Sequence, residues 1–224
     1  MHRSIALLAA LSLSLLLSAE EAENRISVPR VADAPVIDGK VSNNEWKAAT
    51  RVVLGNNQGH ALLMHDGNYL YIGLVGAKAG IGSVCVKGKT GVRVLHASAA
   101  LGTAAFEQGE NKKWTLTRGF TFTNRDTGDS PAAMEDRKKM LATDGWFATT
   151  SHAASPEREY QIPIRGHKEV PIVIGFMSFT RQQEKLFYWP GSVEDDCAEA
   201  QLARGFTDRE YTFDPDNWGV AVLE

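Results

Sequence analysis

The sequence has only two cysteines among its 224 residues, Cys85 and Cys197. That rules out a dense disulfide scaffold, and neither cysteine stands in a CxxCH arrangement, so covalent c-type haem is excluded. Basic residues are in slight deficit, with 24 Lys plus Arg against 27 Asp plus Glu and a formal net charge of −3. There is no basic stripe and no glycine loop of the phosphate-binding kind, so nucleic acid and nucleotides have no physical basis for binding. The histidines never form an i, i+4 helical pair, and no His/Cys cluster has zinc spacing. The carboxylates show no spacing that marks a paired acid and base. Ser98, two residues after His96, lies in HASAALG, which is not a nucleophile elbow. Catalysis is therefore not expected.

Long apolar runs are also missing, with one exception. After His2 and Arg3, an unbroken Ile/Ala/Leu/Ser run extends from Ile5 to Leu17, and Ser18-Ala19 precede the acidic Glu20-Glu21. A membrane-spanning helix needs about 20 residues, so this run is too short to span and reads as a secretory signal cut after Ala19. No cysteine follows the cut, so a lipoprotein anchor is not expected. The mature chain, 20–224, is expected to be secreted or periplasmic, with no membrane span, and loss of Arg3 makes it one charge more negative. Its length suits one domain, with neither linker nor repeat, and no pattern specifies an oligomeric state.

What the chain does contain is short alternating segments separated by Gly and Asn turns. Leu62 and Met64 alternate up to an Asp66-Gly67-Asn68 turn. Tyr69 and Tyr71 then share one face of the returning strand, with Leu70, Ile72 and Leu74 on the other. Both faces carry apolar or aromatic groups, as packing between two sheets requires. The pattern continues at Thr50–Leu54, Val84–Val86, Val92–Leu95, Trp114–Phe122, Trp146–Thr150 and Tyr160–Ile164. The strongly apolar Pro171–Phe179 reads as a central strand, with a hairpin return at Leu186–Trp189. Pro131 opens a helix, with Met134, Arg137, Lys138 and Leu141 at helical spacing, and Gly145 ends it. A second short helix is expected at Asp195–Ala203, with acidic residues in its first turn. The fold class is all-β, an antiparallel β-sandwich with one or two short helices.

The stretch Ala34–Ala49, APVIDGKVSNNEWKAA, has a turn at Asp38-Gly39 and then a helix start, in which Ser42 caps and Glu45 closes a capping box. Trp46 sits on the apolar face of that brief helix, where an indole can bury on the order of 200 Å². This IDG turn with its acidic-Trp pair, together with HALLMHDGNYLYIGLVG (60–76), EREYQIPI (157–164) and FDPDNWGVAVL (213–223), resembles family 9 carbohydrate-binding modules and their DOMON-like relatives. The resemblance implies a β-sandwich that binds a sugar or glycan without catalysis of its own, or as accessory to a carbohydrate-active enzyme. Two aromatic side chains sandwich the terminal sugar in that family, and the matching positions here are Trp114 and Trp189. Trp46 and Trp218 fall in the family's frame.

Sugar rings stack their C–H faces on indoles and need in-plane donors and acceptors for their hydroxyls. The candidate ligand-binding residues are Trp114, Trp189, Trp146, Arg93, His96 and Asp195, with Glu194 beside the last. In an oxidising compartment Cys85 and Cys197 are expected to form a disulfide, worth about 4–5 kcal/mol in the chain-entropy model, with two buried thiols as the alternative. No cofactor is expected. Asp195 and Asp196 could serve a structural calcium, against a plain helix-start charge pair. DOMON-like domains also bind haem b through Met with His or Lys, and Met64, Met134, Met140 and Met177 with His65, His96 or His152 supply that inventory. A third expectation is an exported domain that contacts a protein or the cell wall.

Overall fold

The computed structural model describes residues 24–41, 44–98, 100–120, 123–124, 130–179, 184–198 and 210–224, so the expected leader and the cap at Ser42 lie outside the described residues. In chain order the strands are β1 (Arg25–Val28), β2 (Thr50–Leu54), β3 (Gly59–His65), β4 (Tyr69–Gly76), β5 (Gly80–Lys87), β6 (Gly91–Ala97) and β7 (Ala100–Gln108). They continue as β8 (Trp114–Arg118), β9 (Thr123–Asn124), β10 (Phe147–Thr149), β11 (Glu157–Pro163), β12 (Glu169–Phe179), β13 (Glu184–Trp189) and β14 (Gly219–Leu223). One helix, α1 (Pro131–Thr143), stands between β9 and β10, and a 3-10 turn, Pro215–Asn217, precedes β14.

These strands form two packed sheets. The smaller has the order β10-β11-β4-β3-β2, and the larger β1-β14-β12-β5-β6-β7-β8, with β13 also on β12 and β9 on β7. The pairing is antiparallel throughout except for β1 with β14. Pro171–Phe179 is central as expected: β12 pairs with β5, β13 and β14. The 114–122 segment is shorter than its pattern predicts, ending at Arg118, with residues 121–122 outside the described set.

The period of two sets the core. Leu70, Ile72 and Leu74 of β4 and Tyr160 and Ile162 of β11 turn inward to meet Val84, Leu95, Leu101, Ile172, Ile174 and Phe176 of the larger sheet. Trp146 is fully buried among them, stacked on Tyr160 at 6.2 Å and 15°, with its indole N–H donated to Thr103 Oγ1 at 2.8 Å. Helix α1 lies at the surface. Ser130 Oγ accepts from Ala133 N at 3.1 Å and Pro131 occupies the first turn, but only Ala133 is buried and Met134 is 47% exposed.

The 34–49 segment crosses the outer face of the smaller sheet as a lid. It is not helical: residues 44–48 form turns, closed by Ala49 N–H to the Trp46 carbonyl at 3.0 Å. A tertiary anchor outcompetes the local propensity there, because Trp46 is drawn down to a buried carboxylate. Glu159, on the outer face of β11, accepts from Asp38 N at 2.9 Å, from Gly39 N at 2.7 Å and from the Trp46 indole at 3.1 Å. Burial pushes its carboxyl up to about 7 against the pull of those donors. Gly39 is required at the turn: its φ is +87°, and a Cβ would fall 2.1 Å from Ser151 N.

Candidate functional site

Alternation also places apolar groups on the outer face of the larger sheet, where Cys85, Val94, Ala104, Phe106 and Val173 form a surface that needs a cover. The cover is a strap made of residues 190–198 and 210–218, which contributes Val193, Cys197, Tyr211, Phe213 and Trp218. Phe213 is the hub. Its ring lies 4.7 Å from Phe106, 5.5 Å from Trp114 at 88°, and 6.4 Å from Trp218 at 88°, and it stacks on Tyr211 at 6.3 Å. The result is a second buried cluster, aromatic where the inner core is mostly aliphatic.

Three ties hold the strap. The expected disulfide forms between Cys85 and Cys197, with Cα atoms 6.2 Å apart across 112 residues of sequence. The Trp114 indole donates to the Phe213 carbonyl at 2.9 Å. Asp195 accepts at one oxygen from Cys197 N at 2.8 Å and at the other from Asp214 N at 2.8 Å and the Trp218 indole at 2.6 Å. Asp196 adds a pair of bonds to Thr212, accepting from its N–H at 2.6 Å and donating its own N–H to its carbonyl at 3.0 Å. Residues 195–198 are turns rather than the first turn of a helix, and 199–203 lie outside the described residues. The acidic pair accepts from the backbone amides of Cys197, Thr212 and Asp214. Among the described residues, no group of three or more His, Cys, Asp or Glu is placed to hold a metal.

The structure separates the six candidate ligand residues. Trp146 is in the inner core. Trp114 and Trp189 are each 7% exposed, Trp114 beneath the strap and Trp189 against the inner cluster and Gly219, where a Cβ would come within 2.5 Å of the indole. These three tryptophans therefore do not share an open platform. Arg93 reaches away to the end of α1, donating to the Asp144 carbonyl at 2.8 Å. His96 is buried against Phe120, with Nε2 3.0 Å from Ser98 Oγ. Asp195 alone lines a large opening.

The haem ligand inventory is likewise dispersed. Met64 and Met177 are 1% exposed and Met140 packs on the inner core, whereas Met134 is at the surface. His65 Nε2 lies 3.1 Å from the Glu224 carbonyl, and His152 Nδ1 lies 3.0 Å from Ser151 Oγ.

The large opening is a cleft of about 810 Å³ beside the strap. Asn24, Ser192, Asp195, Thr212, Asp214, Asp216 and Asn217 give it a polar lining, and the buried Trp218 forms part of its wall. Asn24 Nδ2 donates to Ser192 Oγ at 3.1 Å and Asn217 Nδ2 to Asp214 at 2.6 Å, so the lining side chains are held in place by one another. Arg25 lies at its edge, bound to Glu169 at 2.6 Å.

Sequence reasoning missed two charged residues that organise the fold. Arg158, 1% exposed, donates to Thr150 Oγ1 at 2.8 Å, the Ser155 carbonyl at 2.7 Å and the Gly80 carbonyl at 2.5 Å, clamping the two sheets together, and burial lowers its pKa. Glu159 faces the other way, to the lid. The signal was there: two adjacent charges inside the strand EREYQIPI must point to opposite faces, and both faces of this strand are covered.

Fold and site together define an all-β sandwich with an aromatic cluster buried outside its larger sheet. No family model matches the chain, and neither does any curated protein or solved structure. No helix among the described residues is long and apolar enough to cross a membrane.

Proposed function

We propose that the protein is an exported, non-catalytic carbohydrate-binding domain and that its sugar occupies the cleft beside the strap. The observation that carries this reading is the lining: carboxylate, amide and hydroxyl groups from Asn24, Ser192, Thr212, Asp214, Asp216 and Asn217 converge on one opening. Carboxylates accept, and amides and hydroxyls both donate and accept, which is the chemistry that sugar hydroxyls pair with, and a volume of about 810 Å³ falls within the usual range for small-ligand sites, about 300–1,000 Å³. The resemblance to family 9 modules supports the ligand class. Trp218, 2% exposed and bonded to Asp195, backs the cleft wall, so recognition rests on the polar lining rather than on ring stacking.

Glycan-array binding followed by calorimetry tests this. Wild-type protein is expected to retain a defined glycan, and the Asp214→Ala, Asp216→Ala double variant to lose it with an unchanged melting temperature. Retention by the double variant, or no glycan retained by the wild type, would sink the cleft assignment. A Soret band after haem reconstitution would replace the sugar with haem b.

A further inference from the structure

A second opening lies between the two sheets, beside the β5–β6 and β11–β12 loops. It is a crevice of about 60 Å³, walled by Leu95 of β6, Ile162 and Ile164 at the end of β11, and Val170 of β12, with Lys87, Arg93 and His167 also lining it. The walls are inner-core side chains, so the crevice is an apolar extension of the core toward solvent.

Its charge is the reverse of the cleft's. The two loops that frame it are Lys87-Gly88-Lys89-Thr90 between β5 and β6, and Arg165-Gly166-His167-Lys168 between β11 and β12. Neither contains an acidic residue, in a chain whose net charge is negative. Lys87 Nζ donates to the Gly88 carbonyl at 3.1 Å and Arg93 to the Asp144 carbonyl at 2.8 Å, so both cations bond to neutral oxygens. The Asp144 carboxylate, which also attracts the Arg93 guanidinium, is bonded to Arg118. Among the described residues neither Lys87 nor Arg93 stands in an ion pair. A half-buried guanidinium and ammonium at the rim of an apolar slot are complementary to an anion that carries a short apolar group.

We propose that this crevice binds a small monocarboxylate, with its carboxylate at Lys87, Arg93 and His167 and an alkyl group of two or three carbons between Leu95, Ile162, Ile164 and Val170. The volume keeps the ligand small: it is less than half of the ~150 Å³ of a cavity that takes up benzene, too little for a ring or a long chain. This site is separate from the sugar cleft and stands or falls independently of it.

Methyl NMR of the purified protein, titrated with sodium butyrate and, as controls with the same three-carbon tail, with propanol and propylammonium, tests the proposal. Butyrate is expected to shift the methyl resonances of Ile162, Ile164 and Val170 saturably at millimolar concentration, and the two controls are not. Lys87→Gln lies at the surface end of a strand and leaves the fold intact. It is expected to weaken butyrate binding about tenfold, the loss of one charge-assisted bond. Equal shifts from propanol, stronger shifts from propylammonium, no saturable shift from butyrate, or butyrate binding unchanged in Lys87→Gln would each overturn the assignment.

Discussion

The lid over the smaller sheet and the strap over the larger one share one kind of tie, which in the lid reaches down to the sheet and in the strap joins its two segments to each other. In each, one buried carboxylate accepts two backbone N–H groups and one indole N–H: Glu159 takes Asp38, Gly39 and Trp46, and Asp195 takes Cys197, Asp214 and Trp218. Each of these carboxyl groups gathers three hydrogen bonds, and leaving a buried polar group unsatisfied costs about 1–3 kcal/mol. The difference lies in what else holds each cover. The strap carries its own acid and is also cross-linked through Cys85–Cys197. The lid has no covalent tie to the sheet below, and its acceptor belongs to that sheet. Two covers with the same polar anchor should therefore fail under different conditions, the lid with pH and the strap with reduction.

The largest effect expected is on the strap. Replacing both cysteines by serine removes a cross-link across 112 residues, worth about 4–5 kcal/mol in the chain-entropy model. Denaturant midpoints should fall accordingly, and hydrogen exchange should quicken at Thr212 and Asp214 while Asp38 and Gly39 stay protected. If the lid amides open first, the two covers are not independent.

Next comes pH. The Glu159 carboxyl is raised from 4.5 to about 7, so the folded state favours its protonated form. The stabilisation from this group is fully present below about 4.5 and is lost as pH rises through about 7, amounting to about 3 kcal/mol at 1.36 kcal/mol per pH unit. Melting temperatures between pH 5 and pH 8 should fall in the wild type, and Glu159→Gln should flatten that slope whatever it does to the absolute stability. A slope unchanged in Glu159→Gln would assign the pH dependence elsewhere.

A smaller effect isolates the shared tie. Trp46→Phe and Trp218→Phe each keep an aromatic ring and delete the indole donor, with an expected loss of about 1–3 kcal/mol by chemical denaturation. The comparison sharpens if the Trp218 change costs more once the disulfide is reduced. Smallest of all, Arg25→Ala breaks an ion pair whose side chains are 42% and 50% exposed, and it should move stability by less than about 1 kcal/mol.

How much of this was legible in the chain follows from the range of each interaction. The inner core was, because Leu70, Ile72 and Leu74 alternate with tyrosines and a period of two has only one way to face a second sheet. Pro171–Phe179 was legible as central because its apolar run is covered on both faces. Trp46 was legible as a lid residue. The helix drawn under it was not, since the capping pattern is local and the pull of Glu159 comes from 113 residues away. The candidate site was the least legible part. The resemblance to family 9 modules offers Trp114 and Trp189 as a platform, but the strap that buries Trp114 has no periodicity to announce it. The cleft and the crevice join loops distant in sequence, and nothing local marks either.

The sequence by itself determined the strand pattern, the two-sheet architecture, the turn that needs Gly39 and the pair of cysteines available to bond, all of which depend on neighbours a few residues apart or on simple counting. Only the tertiary structure decided which tryptophans are buried, that two buried carboxylates fasten the two covers, and that an acidic cleft and a basic crevice open at separate places. Those outcomes depend on which segment covers which face, and burial and charge pairing are properties of a packed surface rather than of a stretch of chain.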